Sequence, residues 1–273
     1  MLRRDRRTHL GRMLRIGCVK YLNARPLIRG WSGEVCFDHP LALCERLANG
    51  QLDVALVSSF EFLRNPIYRI VDGVSVSSDG PVYSVVVVHR GDIADIKEIE
   101  LDPASQTGVN LLRCLLGELG FSPRLIRGAV GNTGRQPVVP CSLPDAKACL
   151  LIGDQAIRLR QAHAGEFFWD LGEQWKKLVD LPFVYALWLL RPEVADAKTI
   201  ANALRALRDK NLTNLDQLIA GEGEFDSQFC ARYYREHLRF NFGEKEKQGL
   251  RTFADLCAKH GVLEKRDLVL DLV

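Results

Sequence analysis

The feature that most constrains this chain is an alternation. Strand-sized apolar runs are followed repeatedly by stretches whose apolar residues recur at helical spacing. After Leu14, "LRIGCVKY" and "EVCFDHP" predict two strands. "LALCERLANG" sets Leu41, Cys44, Leu47 and Ala48 on one helical face, with Gly50 as its stop. "LDVALVSS" is apolar almost throughout, the pattern of a strand covered on both faces. Ser58 and Glu61 have the spacing of a capping box that opens a short helix. Strand, helix, strand in this order predicts an α/β fold with a mainly parallel sheet.

The plan continues downstream. "YRIVDGVSVSSDGPVYSVVVVHR" predicts two strands joined by an "SSDGP" turn, and "EIELD" predicts another. "SQTGVNLLRCLLGELG" predicts a capped amphipathic helix closed by Gly120. "ACLLIGDQAIRLR" repeats strand, polar loop and helix, and "FVYALWLLRP" is a strand ended by Pro192. The remainder reads as mostly helical, with "DLVLDLV" as a last strand or apolar tail. There is an internal echo: "LDVALVSSFEFL" matches "KACLLIGDQAIRL" in plan, and "CVKYLNARPLI" matches "ELDPASQTGVNLL". The echo predicts two similar α/β lobes without a flexible tether. Lobe 1 is expected over 14–92 and 186–273, and lobe 2 over 93–185. Ligands of open α/β sheets bind at the carboxyl ends of strands. The expectation is therefore an interlobe cleft lined by Asn23, Ser58, Ser59, Ser105, Thr107, Gly153 and Asp154.

Composition limits the function classes. The 273 residues carry a net charge of +3, but five Arg and one Asp fall in residues 1–12, which leaves the body close to neutral. That is not the basic face of a nucleic-acid binder. Residues 1–13 read as a basic, disordered extension, with Met13 as an alternative start. The extension lacks the apolar segment of a secretion signal. The apolar runs are too short to cross a bilayer, which needs roughly 20 residues. A cytoplasmic protein without a membrane partner is expected. The eight cysteines are scattered, with no CxxC pair, and the six histidines are equally dispersed. Free thiols and no metal site are the expectation.

The polar loops carry the candidate chemistry. "SQTG", Ser105 to Gly108, precedes a helix, where free N–H groups and the helix dipole favour an anion. Ser84 is a lone hydroxyl in the apolar run "GPVYSVVV" and needs a partner. Asp154 in "IGDQAI" precedes a helix, and Pro182 and Phe183 begin "LPFVYALW", a wall suited to a ring. Taken singly, a helix cap, a backbone partner or ordinary core explains each of these. The chain has no G-x-G-x-x-G, P-loop, G-x-S-x-G or H-E-x-x-H motif. No histidine and no carboxylate pair falls among the cleft candidates. Any catalysis would rest on hydroxyls, an amide, backbone dipoles and groups of the substrate.

Taken together and in order, "GCVKYLNARPL", "GQLDVALVSSFEFL", "GPVYSVVV", "LDPASQTGVNLLRCLL", "ACLLIGDQAI", "WDLGEQW" and "LPFVYALW" resemble the MqnA family, the chorismate dehydratases of the futalosine route to menaquinone. The resemblance runs from about Ile16 to Trp188. It implies a two-lobed fold of the type II periplasmic-binding-protein kind, with an interlobe cleft and, in this chain, a helical C-terminal segment. It implies loss of water from chorismate to give 3-[(1-carboxyvinyl)oxy]benzoate, without a cofactor and in a monomer or homodimer.

Carried over by motif, Asn23 and Ser84 would be catalytic. Tyr21, Ser59, Ser105, Thr107, Gly108, Gly153, Asp154, Pro182 and Phe183 would bind substrate, and a substrate carboxylate would take the C3 proton. The chain departs from the family pattern in several places. Gln106 stands for a common Arg and Gly108 for a common Ser. Ser58 stands for Pro in V-P-S, and Val179 and Asp180 stand for Thr-Gly before "LPFV". Arg25 or Arg135 is a candidate replacement cation. Two alternatives stay open: a non-catalytic cytosolic binder of a small cyclic carboxylate, and the sister 1,4-dihydroxy-6-naphthoate synthase. The sister enzyme is expected to have a different opening loop and a cleft histidine.

Overall fold

A computed structural model describes residues 14–128, 147–163 and 167–273. The expected extension 1–13 and Arg135 lie outside the described residues. The chain begins with β1 (Ile16–Val19), a 3-10 turn at Leu22–Ala24 and the one-turn helix α1 (Arg25–Ile28). Next come β2 (Val35–Asp38), α2 (Pro40–Ala48), β3 (Val54–Ser58), α3 (Ser59–Arg64) and β4 (Arg69–Ser78). The second lobe holds β5 (Val85–His89), β6 (Glu98–Leu101), α4 (Thr107–Leu119), β7 (Arg124–Arg127), β8 (Lys147–Ile152), α5 (Gly153–Ala162), β9 (Phe167–Asp170) and α6 (Leu171–Val179). The chain then returns through β10 (Phe183–Leu190) to α7 (Ala197–Thr213), α8 (Leu215–Ala220), α9 (Ser227–Arg232), a π-helical turn at Tyr233–His237 and α10 (Glu244–Lys259).

Two five-stranded sheets form, ordered β2-β1-β3-β10-β4 and β7-β6-β8-β5-β9. In each, three strands run parallel, and a strand antiparallel to the third separates it from the edge. The internal echo is this shared topology: β1 corresponds to β6 and β3 to β8. The sheets are mixed rather than mainly parallel, because each lobe receives an antiparallel strand where the chain crosses between them.

These crossings correct the expected lobe limits. β5 belongs to the second sheet, not to a first lobe ending at 92, and β10 joins the first sheet from Phe183. The "SSDGP" segment is therefore an interlobe crossing rather than a hairpin turn. A run such as "VVVV" signals burial but does not say in which sheet.

Glycine closes α4 as expected, with Gly120 in the left-handed region at φ 72°. The capping expectations fail. Ser58 makes no capping bond to α3, and neither Ser105 nor Thr107 acts as the N-cap of α4, where Gln106 stands without a side-chain cap bond. The Ser58 and Thr107 hydroxyls bond each other across the cleft instead. One apolar core runs through both lobes. The C-terminal tail covers the edge of β4: Ile70 N–H donates to Asp271 O at 2.7 Å, and Asp72 N–H donates to Val273 O at 2.9 Å. The seven described cysteines are free.

Candidate active site

The strand ends of the two sheets meet at a cavity of about 70 Å³. Val19, Tyr21, Asn23, Pro40, Val57, Ser58, Val76, Tyr185 and Ala186 line it from the first lobe. Val85, Ser105, Gln106, Thr107, Gly108, Ile152 and Gly153 line it from the second. Seven of the expected residues thus share one wall: Tyr21, Asn23, Ser58, Ser105, Thr107, Gly108 and Gly153. Asn23 sits in the 3-10 turn at the end of β1, and Pro26 stiffens the first turn of the helix that follows.

Ser59, Ser84, Asp154, Pro182 and Phe183 are not among the lining residues, and their contacts explain their positions. Ser59 Oγ donates to Val184 O at 2.7 Å. Ser84 is fully buried, and its Oγ accepts from Tyr233 Oη at 2.7 Å. Asp154 is not an N-cap. It lies in the first turn of α5, and its carboxylate accepts from Leu22 N–H at 2.8 Å, so the second lobe holds the turn that carries Asn23. Burial pushes the Asp154 carboxyl up, against the Leu22 N–H and Arg25, which pull it down. Phe183 packs edge-on to Trp175, Tyr185 and Phe253, and the carbonyl of Pro182 abuts Gly249 of α10.

The lobes touch directly at the cavity. Thr107 Oγ1 hydrogen-bonds Ser58 Oγ at 2.5 Å, lies 3.3 Å from both Ser59 Oγ and Tyr185 O, and accepts from Phe60 N–H at 3.2 Å. Two glycines make room in the wall. A Cβ on Gly153 would stand 2.8 Å from the Tyr21 ring, and φ of +61° disfavours any side chain there. A Cβ on Gly108 would stand 2.6 Å from Ser105 Oγ.

The electrostatics are set by the backbone. Among the described lining residues there is no Asp, Glu, Lys, Arg or His. Arg25 does not replace the missing arginine, because it pairs with Glu222 and Glu224. Helices α2, α4 and α5 all begin at the cavity, with Pro40, Thr107 and Gly153 in their first turns. Their N-termini supply positive potential, while Pro40 carries no N–H and the Gly153 N–H donates to Ser84 O at 2.8 Å. Two buried amide oxygens at the wall, Asn23 Oδ1 and Gln106 Oε1, have no partner among the described residues. Such a wall accepts a ligand that brings both anionic groups and hydrogen-bond donors. Among the described residues no cluster of His, Cys, Asp and Glu could hold a metal ion, and no helix is long and apolar enough to cross a membrane.

Sequence reasoning missed Tyr185 on the wall and the pair Tyr233 and Tyr234 behind it. Tyr234 Oη donates to Leu22 O at 3.0 Å. A tyrosine in a helical or strand pattern reads as ordinary core, and no local signal marked these three. Sequence reasoning also quoted "WDLGEQW" without giving it a task. Asp170 of that stretch accepts from the N–H groups of Val82, Tyr83, Gly172 and Glu173 and pairs with Arg160.

The fold and cleft define a two-lobed α/β protein of the periplasmic-binding-protein type. The aliphatic sulphonate binding protein SsuA of Escherichia coli is similar in fold, with a TM-score of 0.59 at 16% identity over 94% of this chain and 89% of that one. A protein of Archaeoglobus fulgidus gives 0.68 at 17% identity, covering 92% and 98%. The family described as "Menaquinone biosynthesis" matches residues 14–259, and the chain belongs to it. A chorismate dehydratase of Thermus thermophilus is 30% identical over 261 residues, covering 88% of this chain and 93% of that protein.

Proposed function

We propose that this protein is a chorismate dehydratase, a hydro-lyase that converts chorismate to 3-[(1-carboxyvinyl)oxy]benzoate and water. The observation that carries the reading is a cleft wall with no Asp, Glu, Lys, Arg or His among its described residues and with three helix N-termini, in a member of a menaquinone-biosynthesis family. Chorismate brings two carboxylates and a hydroxyl, which match the helix N-termini and the unpartnered amide oxygens. The reaction removes the C3 proton and the C4 hydroxyl, and the ring becomes aromatic, so the forward direction is strongly favoured. With no Asp, Glu, Lys, Arg or His among the described lining residues, the enolpyruvyl carboxylate takes the C3 proton, the C3–H electron pair becomes the new ring double bond as the C4–O bond breaks, and the carboxyl returns that proton to the departing hydroxide, which leaves as water. The protein's work is to hold the ring, orient the hydroxyl towards Asn23, and exclude bulk water.

The sister dihydroxynaphthoate synthase is disfavoured by the absence of histidine among the described lining residues. The reading is tested by comparing the wild type with Asn23→Ala on chorismate. Loss of chorismate absorbance in the wild type, and a kcat lower by roughly 100-fold or more in the variant at unchanged Tm, is expected. Equal rates in the two proteins would move the centre of the site away from Asn23.

A further inference from the structure

The 3-10 turn that carries Asn23 has no cap of its own. Tyr21 stands at its N-cap position and makes no side-chain cap bond. The first N–H of such a turn, that of Leu22, finds no acceptor within it. It donates instead to Asp154 Oδ1 at 2.8 Å, in the first turn of α5 and therefore in the other lobe. A carboxylate 132 positions away thus acts as the N-cap of the turn. Asp154 is buried and is not a lining residue of the cavity, so this bond accounts for its place. Gly153 lets α5 begin this close, since the Tyr21 ring occupies the space that a Cβ there would need.

The rest of the turn is fastened within the first lobe. Tyr234 Oη donates to Leu22 O at 3.0 Å, and the Arg25 N–H donates to the same oxygen. Tyr234 lies in the π-helical turn Tyr233–His237, and Arg239 just beyond it exchanges two backbone hydrogen bonds with Ser77 of β4, at 2.8 and 3.0 Å. Along α1, Asn211 of α7 donates from Nδ2 to Pro26 O at 3.0 Å and to Arg29 O at 2.9 Å. When the lobes part to admit a ligand, these bonds travel with the turn. The bond to Asp154 breaks, and the turn loses its cap one residue before Asn23.

On the reading of this cleft as the dehydratase site, we propose that Asp154 is a positioning residue: it caps the Asn23 turn across the cleft, so that Asn23 is set for the reaction only when the lobes are closed. The test compares Asp154→Ala, which removes the acceptor, with Asp154→Asn, which keeps one side-chain oxygen. The first readout needs no substrate: hydrogen exchange of the Leu22 amide in the free protein, followed by NMR. The Gly172 amide, held by Asp170 Oδ1 at 3.0 Å inside the second lobe, is the internal reference. Asp154→Ala should speed Leu22 exchange by roughly tenfold or more and leave Gly172 unchanged. Saturating product, 3-[(1-carboxyvinyl)oxy]benzoate, holds the lobes shut and should slow Leu22 exchange in the wild type but not in Asp154→Ala.

The second readout is turnover of chorismate. In Asp154→Ala, kcat should fall by roughly 10- to 100-fold with KM within about twofold, because no contact with substrate is lost. Asp154→Asn should recover most of the lost rate and protection. If Asp154→Ala folds poorly, Asp154→Leu keeps the volume without the acceptor and is read in the same way. Unchanged Leu22 exchange, a product effect that survives removal of the acceptor, a raised KM with wild-type kcat, or an Asp154→Asn as impaired as Asp154→Ala overturns the proposal. A wild type that does not consume chorismate removes the dehydratase reading, while the exchange measurement still decides whether Asp154 caps the turn.

Discussion

Among the described residues Tyr83 is one of two non-glycine residues with positive φ, at +69°, and it immediately precedes Ser84. An L-residue in this region costs about 1–2 kcal/mol, so something must hold it. Asp170 does. Oδ2 accepts from Tyr83 N–H at 2.7 Å, and Oδ1 accepts from Val82, Gly172 and Glu173. Arg160 pairs with the same carboxylate and stacks 4.2 Å from the centre of the Tyr83 ring. One buried side chain therefore caps α6 and fixes the crossing that aims Ser84 inward. Asp170→Asn keeps one acceptor and loses the charge. It should destabilise the protein by about 2–4 kcal/mol, read as a lower urea midpoint. A midpoint within experimental error of the wild type would show that the turn is held by other contacts.

Between elements, the packing of α4 on α10 couples the second lobe to the C-terminal segment. Cys114 and Cys257 face each other at an Sγ–Sγ distance of 3.7 Å, and the His260 ring lies on Gly117, where a side chain would collide. Beside them Glu118 binds Lys259 and His260, each at 2.6 Å. The hydrogen bond from Lys259, followed by that from His260, holds the Glu118 carboxyl below its ordinary value. Because the folded value is the lower one, the stabilisation is present above the unfolded value and is lost as pH falls through the folded value. Glu118→Gln should therefore lower Tm near neutrality and flatten its decline in acid. A variant that follows the wild-type Tm curve at every pH would contradict the sign.

Nothing in the sequence predicts this seam. An apolar stripe on a helix says that it packs but not on which partner, and Cys114 and Cys257 are 143 positions apart. Most strands, the helix stops and the loops that meet at the cleft were legible, because periodicity and glycine are local signals. Sheet membership of β5 and the tasks of Ser58, Thr107, Tyr233 and Asp170 were not. Each depends on a partner from a distant element.

For the whole molecule, a cavity of about 70 Å³ is small beside the roughly 300–1,000 Å³ typical of ligand sites. The lobes must separate to admit a ring with two carboxylates. The Ser58–Thr107 hydrogen bond spans them at the wall. Ser58→Ala should shift the free protein towards an open form, seen as a larger radius of gyration by X-ray scattering, with the compact value restored by ligand. An unchanged radius would remove this bond from the closing contacts. The central claim is that the neutral cleft dehydrates chorismate without help from an acidic or basic side chain. The most direct measurement is proton NMR of the purified protein mixed with chorismate. The account predicts that the ring signals of chorismate are replaced by aromatic signals while both enolpyruvyl methylene protons persist. Saturable binding with chorismate unchanged would contradict it and make the protein a binder of the same ligand.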